Sequence, residues 1–150
     1  MSNVHAMVAR KGNTVLSVGP DASVLDASQI MNENRVGALV VTVSHDGPRK
    51  IHGIFTERDV LRRVVAQRRD PAHTTVREVM TERVVVCHAE TSVDEARSLV
   101  KQRRIRHLPV VDDHDHLVGM ISIGDLNAWE LDGQEVKIAA LEEYLYGQAV

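Results

Sequence analysis

At 150 residues, with 43% apolar and 26% charged residues and a net charge of −3, the chain has room for one compact core or two small, interdependent ones. The acidic balance argues against a nucleic-acid binder, and 3% aromatic content leaves no stacking platform for single strands. One cysteine, Cys87, excludes an internal disulfide framework, and no apolar run approaches the roughly 20 residues of a membrane-spanning helix.

Met1 to Lys11 carries no apolar signal core. With the lone cysteine, this predicts a protein of the reducing cytoplasm with no membrane partner. Thr14 to Val18 is a short β-branched run and predicts a strand. Ser23 follows as a helix N-cap, with Asp26 three residues on, ahead of apolar residues at helical spacing: Val24, Ala27, Ile30 and Met31. Ala38 to Val43 and Ile51 to Phe55 predict two strands joined by the turn Ser44 to Lys50. A helix then starts at Thr56-x-x-Asp59, with Val60, Leu61, Val64 and Val65 as its apolar stripe and Arg62, Arg63, Arg68 and Arg69 on an exposed face. Asp70 to Thr75 reads as a linker.

The same order then returns. Val84 to Cys87 predicts a strand, Ser92 an N-cap with Glu95 three residues on, and Val93, Ala96, Leu99 and Val100 a helical stripe. Leu108 to Val111 and Leu117 to Ile121 predict a hairpin, and a helix follows Ser122-x-x-Asp125. From Leu131 onward, Val136, Ala139, Ala140 and Tyr144 predict an amphipathic tail helix and an oligomer contact.

The chain is therefore an internal repeat. Gly53-Ile54-Phe55-Thr56-Glu57-Arg58-Asp59 matches Gly119-Met120-Ile121-Ser122-Ile123-Gly124-Asp125 at a step of 66, from 53 to 119. Ser23 to Ala27 matches Ser92 to Ala96 at a step of 69, from 23 to 92, so the first copy holds three extra residues, placed in the Ser44 to Lys50 turn. Each copy reads β-α-β-β-α, an α/β (α+β) unit of about 55–60 residues that buries too little surface to stand alone. Two copies packed about a pseudo-twofold axis are the expected architecture.

With Gly-h-h-Thr/Ser-x-x-Asp (h, apolar) present twice and Arg106-His107-Leu108-Pro109-Val110-Val111 in the second copy, the chain resembles the cystathionine-β-synthase-type (CBS) family, in its stand-alone paired form. The resemblance covers about residues 12 to 130. It implies CBS repeats over 12–70 and 76–130, with 131–150 as the helical tail. It also implies an adenine-nucleotide ligand, AMP or else ADP, ATP or NAD, and a flat homodimer.

Thr56 and Asp59 carry two readings. As a capping box they satisfy each other's backbone and need no ligand. As a ligand site, the carboxylate accepts from both hydroxyls of a ribose, with the Thr or Ser assisting, which is the role the resemblance implies for Asp59 and Asp125. Family geometry then sets Thr56, Arg58 and Asp59 opposite Met80, Val85, Ile105, Arg106 and His107. It sets Ser122, Gly124 and Asp125 opposite Lys11, Leu16, Val36, Gly37 and Ala38. Val85 and Ile105 would sandwich the adenine. The two sets differ in charge: Arg58, Arg106 and His107 attend Asp59, whereas Gly124, Gly37 and Ala38 take those positions near Asp125, leaving Lys11. Phosphate is expected to be held better beside Asp59, with a less charged adenosyl group or NAD at the second site.

Other features have plainer readings. Asp112 to His116 has metal-ligand residue types but falls where a turn is required. Arg103 to His107 reads as a solvated helix end with a phosphate-facing tip, Cys87 as an inert core thiol, and Trp129, Tyr144 and Tyr146 as packing or dimer residues. The chain shows no nucleophile–base pair, no paired catalytic carboxylates and no phosphate loop, so no catalytic cofactor or metal is expected. The resulting expectation is a non-catalytic adenine-nucleotide sensor for signal transduction, acting on an unidentified regulated protein. A ligand-free interaction module and an unrecognised nucleotide-processing enzyme are the alternatives.

Overall fold

A computed structural model describes residues 3–12, 15–43 and 47–146, apart from the side chains of residues 135, 136 and 146. Thr14 of the first expected strand, Ser44 to Asp46 of the expected turn, and the side chains of Val136 and Tyr146 lie outside that description.

The first copy supplies β1 (Ser17–Val18), α2 (Val24–Asn34), β2 (Ala38–Val43), β3 (Lys50–Thr56) and α3 (Glu57–Asp59), which continues as π-helix over Val60–Val65. The second supplies β4 (Cys87–His88), α5 (Val93–Arg103), β5 (His107–Val111), β6 (Leu117–Ser122) and α6 (Ile123–Tyr146). Each forms a three-stranded sheet with β1 parallel to β2 and β2 antiparallel to β3, repeated as β4, β5 and β6. The register repeats too: Leu39 faces Phe55 as Leu108 faces Ile121, and both hairpins bulge at matching points, Val41/Thr42 and Val110/Val111. Ser23 Oγ accepts from Asp26 N–H at 3.0 Å and Ser92 Oγ from Glu95 N–H at 3.1 Å, so both helices start where their caps predict.

The opening strands are shorter than expected. Val15 and Leu16 precede β1 as irregular chain, and Val84 to Val86 precede β4 likewise. The second helix of the first copy also departs from its stripe. Val64 is buried, but Leu61 and Val65 are each 62% exposed and border the cleft described below. The π-helical bonds Ala66 N–H to Leu61 O and Arg69 N–H to Val64 O, both 2.9 Å, widen the turn and take it off the 3.6-residue period.

Two short helices were absent from the sequence reading and hold the copies together. α1 (Val4–Lys11) precedes the first copy but packs on the second: Val4, Met7 and Val8 join Cys87, Val93, Leu108 and Ile121 in one core. α4 (Val76–Val79) directly follows the expected linker, at the start of the second repeat, and packs on the first. There Val76, Val79 and Met80 join Val24, Leu39, Phe55 and Val64. The docking bonds match: Val4 N–H donates to Thr91 O at 2.8 Å, and Val76 N–H to Ala22 O at 2.9 Å. Each core is thus completed by a helix from beyond its own repeat. Between the lobes a third cluster, Val15, Val40 and Leu117, fills the seam. The whole follows the two-layer logic of a sheet face that must be covered.

The last helix also corrects the tail. α6 is one 24-residue helix running through Leu131 without a break. Its first part is anchored: Leu126 is buried, Arg10 pairs with Asp132 and stacks over Trp129 at 5.5 Å, and Arg97 bonds Glu130 at 2.9 Å. Leu131, Ile138, Leu141, Tyr144 and Leu145 are exposed.

Candidate functional site

Both motifs sit where a sheet strand hands over to a helix. β3 ends at Thr56, whose extended backbone makes it an N-cap. Asp59 N–H donates to Thr56 Oγ1 at 3.4 Å, and Thr56 N–H donates to Asp59 Oδ2 at 3.0 Å, closing the capping box. Asp59 is buried, and its other oxygen is engaged as well. Oδ1 accepts from Thr81 Oγ1 at 3.3 Å and lies 3.7 Å from Arg63 Nε. Arg63 is no mere surface decoration: it also donates to Val79 O and Met80 O, clasping α4 to the π-helix.

Ser122 and Asp125 repeat the box at 3.1 and 2.8 Å. Here the partner differs. Lys11 Nζ, at the end of α1, donates to Asp125 Oδ2 at 2.6 Å and to Met120 O at 2.9 Å. Burial alone would raise the Asp125 pKa. The Lys11 ammonium and the Ser122 N–H outweigh it, and the net shift is downward.

A cleft of about 1130 Å³ opens between the lobes. Its wall includes Thr56, Arg58 and Asp59 on one side and Val85, Ile105, Arg106 and His107 on the other, all of the first expected set but Met80. Val36, Gly37, Ser122 and Gly124, expected around the second site, border the same cleft. The first half-site and part of the second therefore share one space. Five expected residues lie off its wall. Met80 and Ala38 are buried in the fold, Leu16 packs against the first core, and Lys11 and Asp125 hold each other at the end of α1.

Gly37 marks where the copies meet. A methyl group there would come within 3.3 Å of Glu57 Oε2 and 3.5 Å of His107 Cε1. Burial lowers the His107 pKa below the ordinary value of 6.5, Lys11 and Arg106 lower it further, and Glu57 and Asp125 oppose them. A neutral imidazole at the crossing of both half-sites can donate or accept a hydrogen bond.

Sequence reasoning missed Arg35, Glu57, Thr81 and Arg83 on the cleft wall. Thr81 had a signal in principle: it follows the docked α4 and pairs with Ile54 through two 2.9 Å backbone bonds. The step that reveals α4 as the counterpart of α1 is 72, from Val4 to Val76 and Val8 to Met80, beyond the two steps read from the repeats. The turn at Asp112 to His116 and the buried Cys87 follow their plainer readings, whereas Tyr144 is 85% exposed and packs on neither core. Asp112 Oδ1 accepts from His114 and His116 N–H, closing the hairpin turn, and burial pushes the Cys87 thiol up to about 12.

Comparison with known proteins agrees with this geometry. The CBS domain matches twice, over residues 9–66 and 76–131. The CBS domain-containing protein CBSX3, mitochondrial, of Arabidopsis thaliana is 37% identical over 129 residues, which is 85% of this chain and 62% of that protein. This chain thus spans somewhat less than two thirds of that relative's length. A protein with CBS domains from Burkholderia ambifaria MC40-6 superposes with a TM-score of 0.76 at 35% identity, covering 99% of this chain and 98% of that one. The CBS domain protein PAE2072 from Pyrobaculum aerophilum, solved in complex with AMP, superposes with a TM-score of 0.71 at 28% identity, over 82% of this chain and 88% of that one. Two matched domains, two mirrored sheets and two strand-to-helix capping boxes lead to one conclusion: the chain belongs to the CBS-domain family and carries its domain twice.

Proposed function

We propose that the chain is a non-catalytic sensor of an adenine nucleotide, with AMP the first candidate and the Asp59 half of the cleft its first seat. The carrying observation is that one inter-lobe cleft joins the Asp59 box, the apolar Val85 and Ile105, and Arg58 and Arg106. That combination offers acceptors for a ribose, an aliphatic slot for a base and guanidinium groups for phosphate. The AMP complex of the Pyrobaculum aerophilum protein supports the ligand class. The charge difference between the half-sites supports the choice of seat. Arg58 and Arg106 enter no ion pair among the described residues, whereas Lys11 is engaged with Asp125. The ligand would act by favouring one lobe arrangement over another, which a regulated partner then reads. A homodimer is part of this proposal, with the exposed Leu61 and Val65 and the apolar residues of α6 as its candidate surfaces.

A ligand-free interaction module is the second reading, favoured by one fact: the Asp59 carboxylate is already satisfied by Thr56, Thr81 and Arg63. Thermal shift and calorimetry with AMP, ADP, ATP, NAD and S-adenosylmethionine decide between the two. A rise in Tm with AMP, lost in Arg106→Ala and weakened less in Lys11→Ala, supports the sensor. No rise with any adenine nucleotide supports the module. Turnover of ATP or NAD during the incubation would overturn both.

A further inference from the structure

Next to the main cleft runs a second groove of about 440 Å³, between α5 and α6. Its lining includes Arg58, Arg97, Lys101, Arg104 and Arg106 and no carboxylate. Arg97 is paired with Glu130 at 2.9 Å. The other four make no ion pair among the described residues. Arg58 and Arg106 border both the cleft and the groove, so the two spaces meet at that pair.

Four unpaired cations around a concavity raise its potential and repel one another, and a multiply charged anion relieves both effects. Guanidinium groups match phosphate oxygens bidentately, and the exposed Lys101 adds a mobile point charge. Five of the ten residues lining the groove are cationic, and Asn127 is its one neutral polar side chain, so charge dominates what it can hold. The backbone adds an independent observation. Arg104 ends α5 in the left-handed region, at φ 53°, where glycine is the favoured residue. An arginine at this position gives up backbone comfort and puts a charge on the groove wall. Arg35 does the same at the end of α2, also at φ 53°, on the wall of the main cleft.

We propose that this groove is a polyphosphate-binding extension of the Asp59 cleft, occupied by the phosphates beyond the first. The proposal builds on the nucleotide reading above and narrows it from a monophosphate to a nucleoside triphosphate or another phosphate chain. The occupant would enter with its first phosphate at Arg58 and Arg106 and its outer phosphates at Lys101 and Arg104.

The test compares AMP, ATP and inorganic tripolyphosphate by calorimetry on the full chain and on Lys101→Gln, Arg104→Gly. The Arg104→Gly change places glycine at a left-handed position, so folding is expected to be retained, with an unchanged Tm as its check. The expected result is ATP at least tenfold tighter than AMP, with a steeper loss on raising salt. The double variant should erase that gap and leave AMP affinity unchanged. Equal affinities for AMP and ATP, or a variant that loses both alike, would overturn the groove while the nucleotide reading stands. Tripolyphosphate binding that depends on Lys101 and Arg104, with no adenine nucleotide bound, would keep the groove and overturn the nucleotide reading. Failure of all three ligands would sink both.

Discussion

Gly53 and Gly119 open the two signature segments, and neither has a positive φ. What each lacks is space. A methyl group on Gly119 would lie 2.7 Å from Val8 Cγ1, and one on Gly53 would lie 2.8 Å from Met80 Sδ and 2.9 Å from Thr81 O. The signature glycine therefore lets the exchanged helix approach the sheet. Gly53→Ala should cost about 1–3 kcal/mol by overpacking, because the Thr81 carbonyl is held in a backbone bridge and cannot retreat. Urea denaturation checks this. Gly119→Ala should be partly rescued by Val8→Ala, which removes the contacting methyls, whereas Val8→Ala should not rescue Gly53→Ala.

His107 supports a pH prediction at the same scale. Its folded pKa is lowered from 6.5, chiefly by burial, while Lys11, Arg106, Glu57 and Asp125 surround it. Below about pH 6.5 the unfolded chain binds a proton that the folded chain resists. Stability from this residue is therefore complete above pH 6.5 and falls as pH drops, until the folded imidazole itself titrates. The difference between wild type and His107→Gln in urea midpoint, followed from pH 7.5 to pH 5, should shrink through that range.

Among the elements, α1 shows how far local pattern reaches. Val4, Met7 and Val8 are 0, 3 and 6% exposed, as buried as residues of the central strands. Met7→Ala should cost about 2–5 kcal/mol, the ordinary range for a buried methionine, in thermal or chemical melts. A near-neutral result would mean that α1 detaches from the second lobe in solution. Strands, hairpins and both Ser-capped helices were legible because each carries its own signal: short β-branched and apolar runs, turn residues, a hydroxyl before a helical stripe. The two capping boxes were legible from the same local signal, whereas the residues set opposite them came from the family resemblance, and Met80, Leu16 and Ala38 among them lie off the cleft wall. α1 and α4 were not, since a helix of 8 or 4 residues shows too few apolar positions to establish a period and its partner lies one repeat away. The π-helix was missed because its apolar residues mimic an α-helical stripe while the wider turn exposes Leu61 and Val65. The unbroken α6 was missed because the repeat ends where the helix does not.

For the whole molecule, the exchange of α1 and α4 has a thermodynamic consequence. Each lobe's core contains a helix whose position depends on the other lobe, so unfolding one lobe strips apolar cover from its neighbour. The seam of Val15, Val40 and Leu117 and the bond from Leu117 N–H to Arg49 O at 2.9 Å add to that coupling. The two lobes should therefore unfold as one cooperative unit, as small single domains do. Trp129, the chain's one tryptophan, packs against the second core and reports on that lobe alone. Leu39, fully buried in the first core, is the complementary perturbation site. Leu39→Ala should destabilise the first lobe by about 2–5 kcal/mol. Under cooperative unfolding the Trp129 fluorescence midpoint in urea falls together with the loss of far-ultraviolet circular dichroism. A Trp129 midpoint that stays at its wild-type value while the dichroism loses an early phase would show that the lobes unfold independently. In that case a ligand seated between them could not transmit stability from one to the other, so the same melt also tests the basis for reading this fold as a sensor.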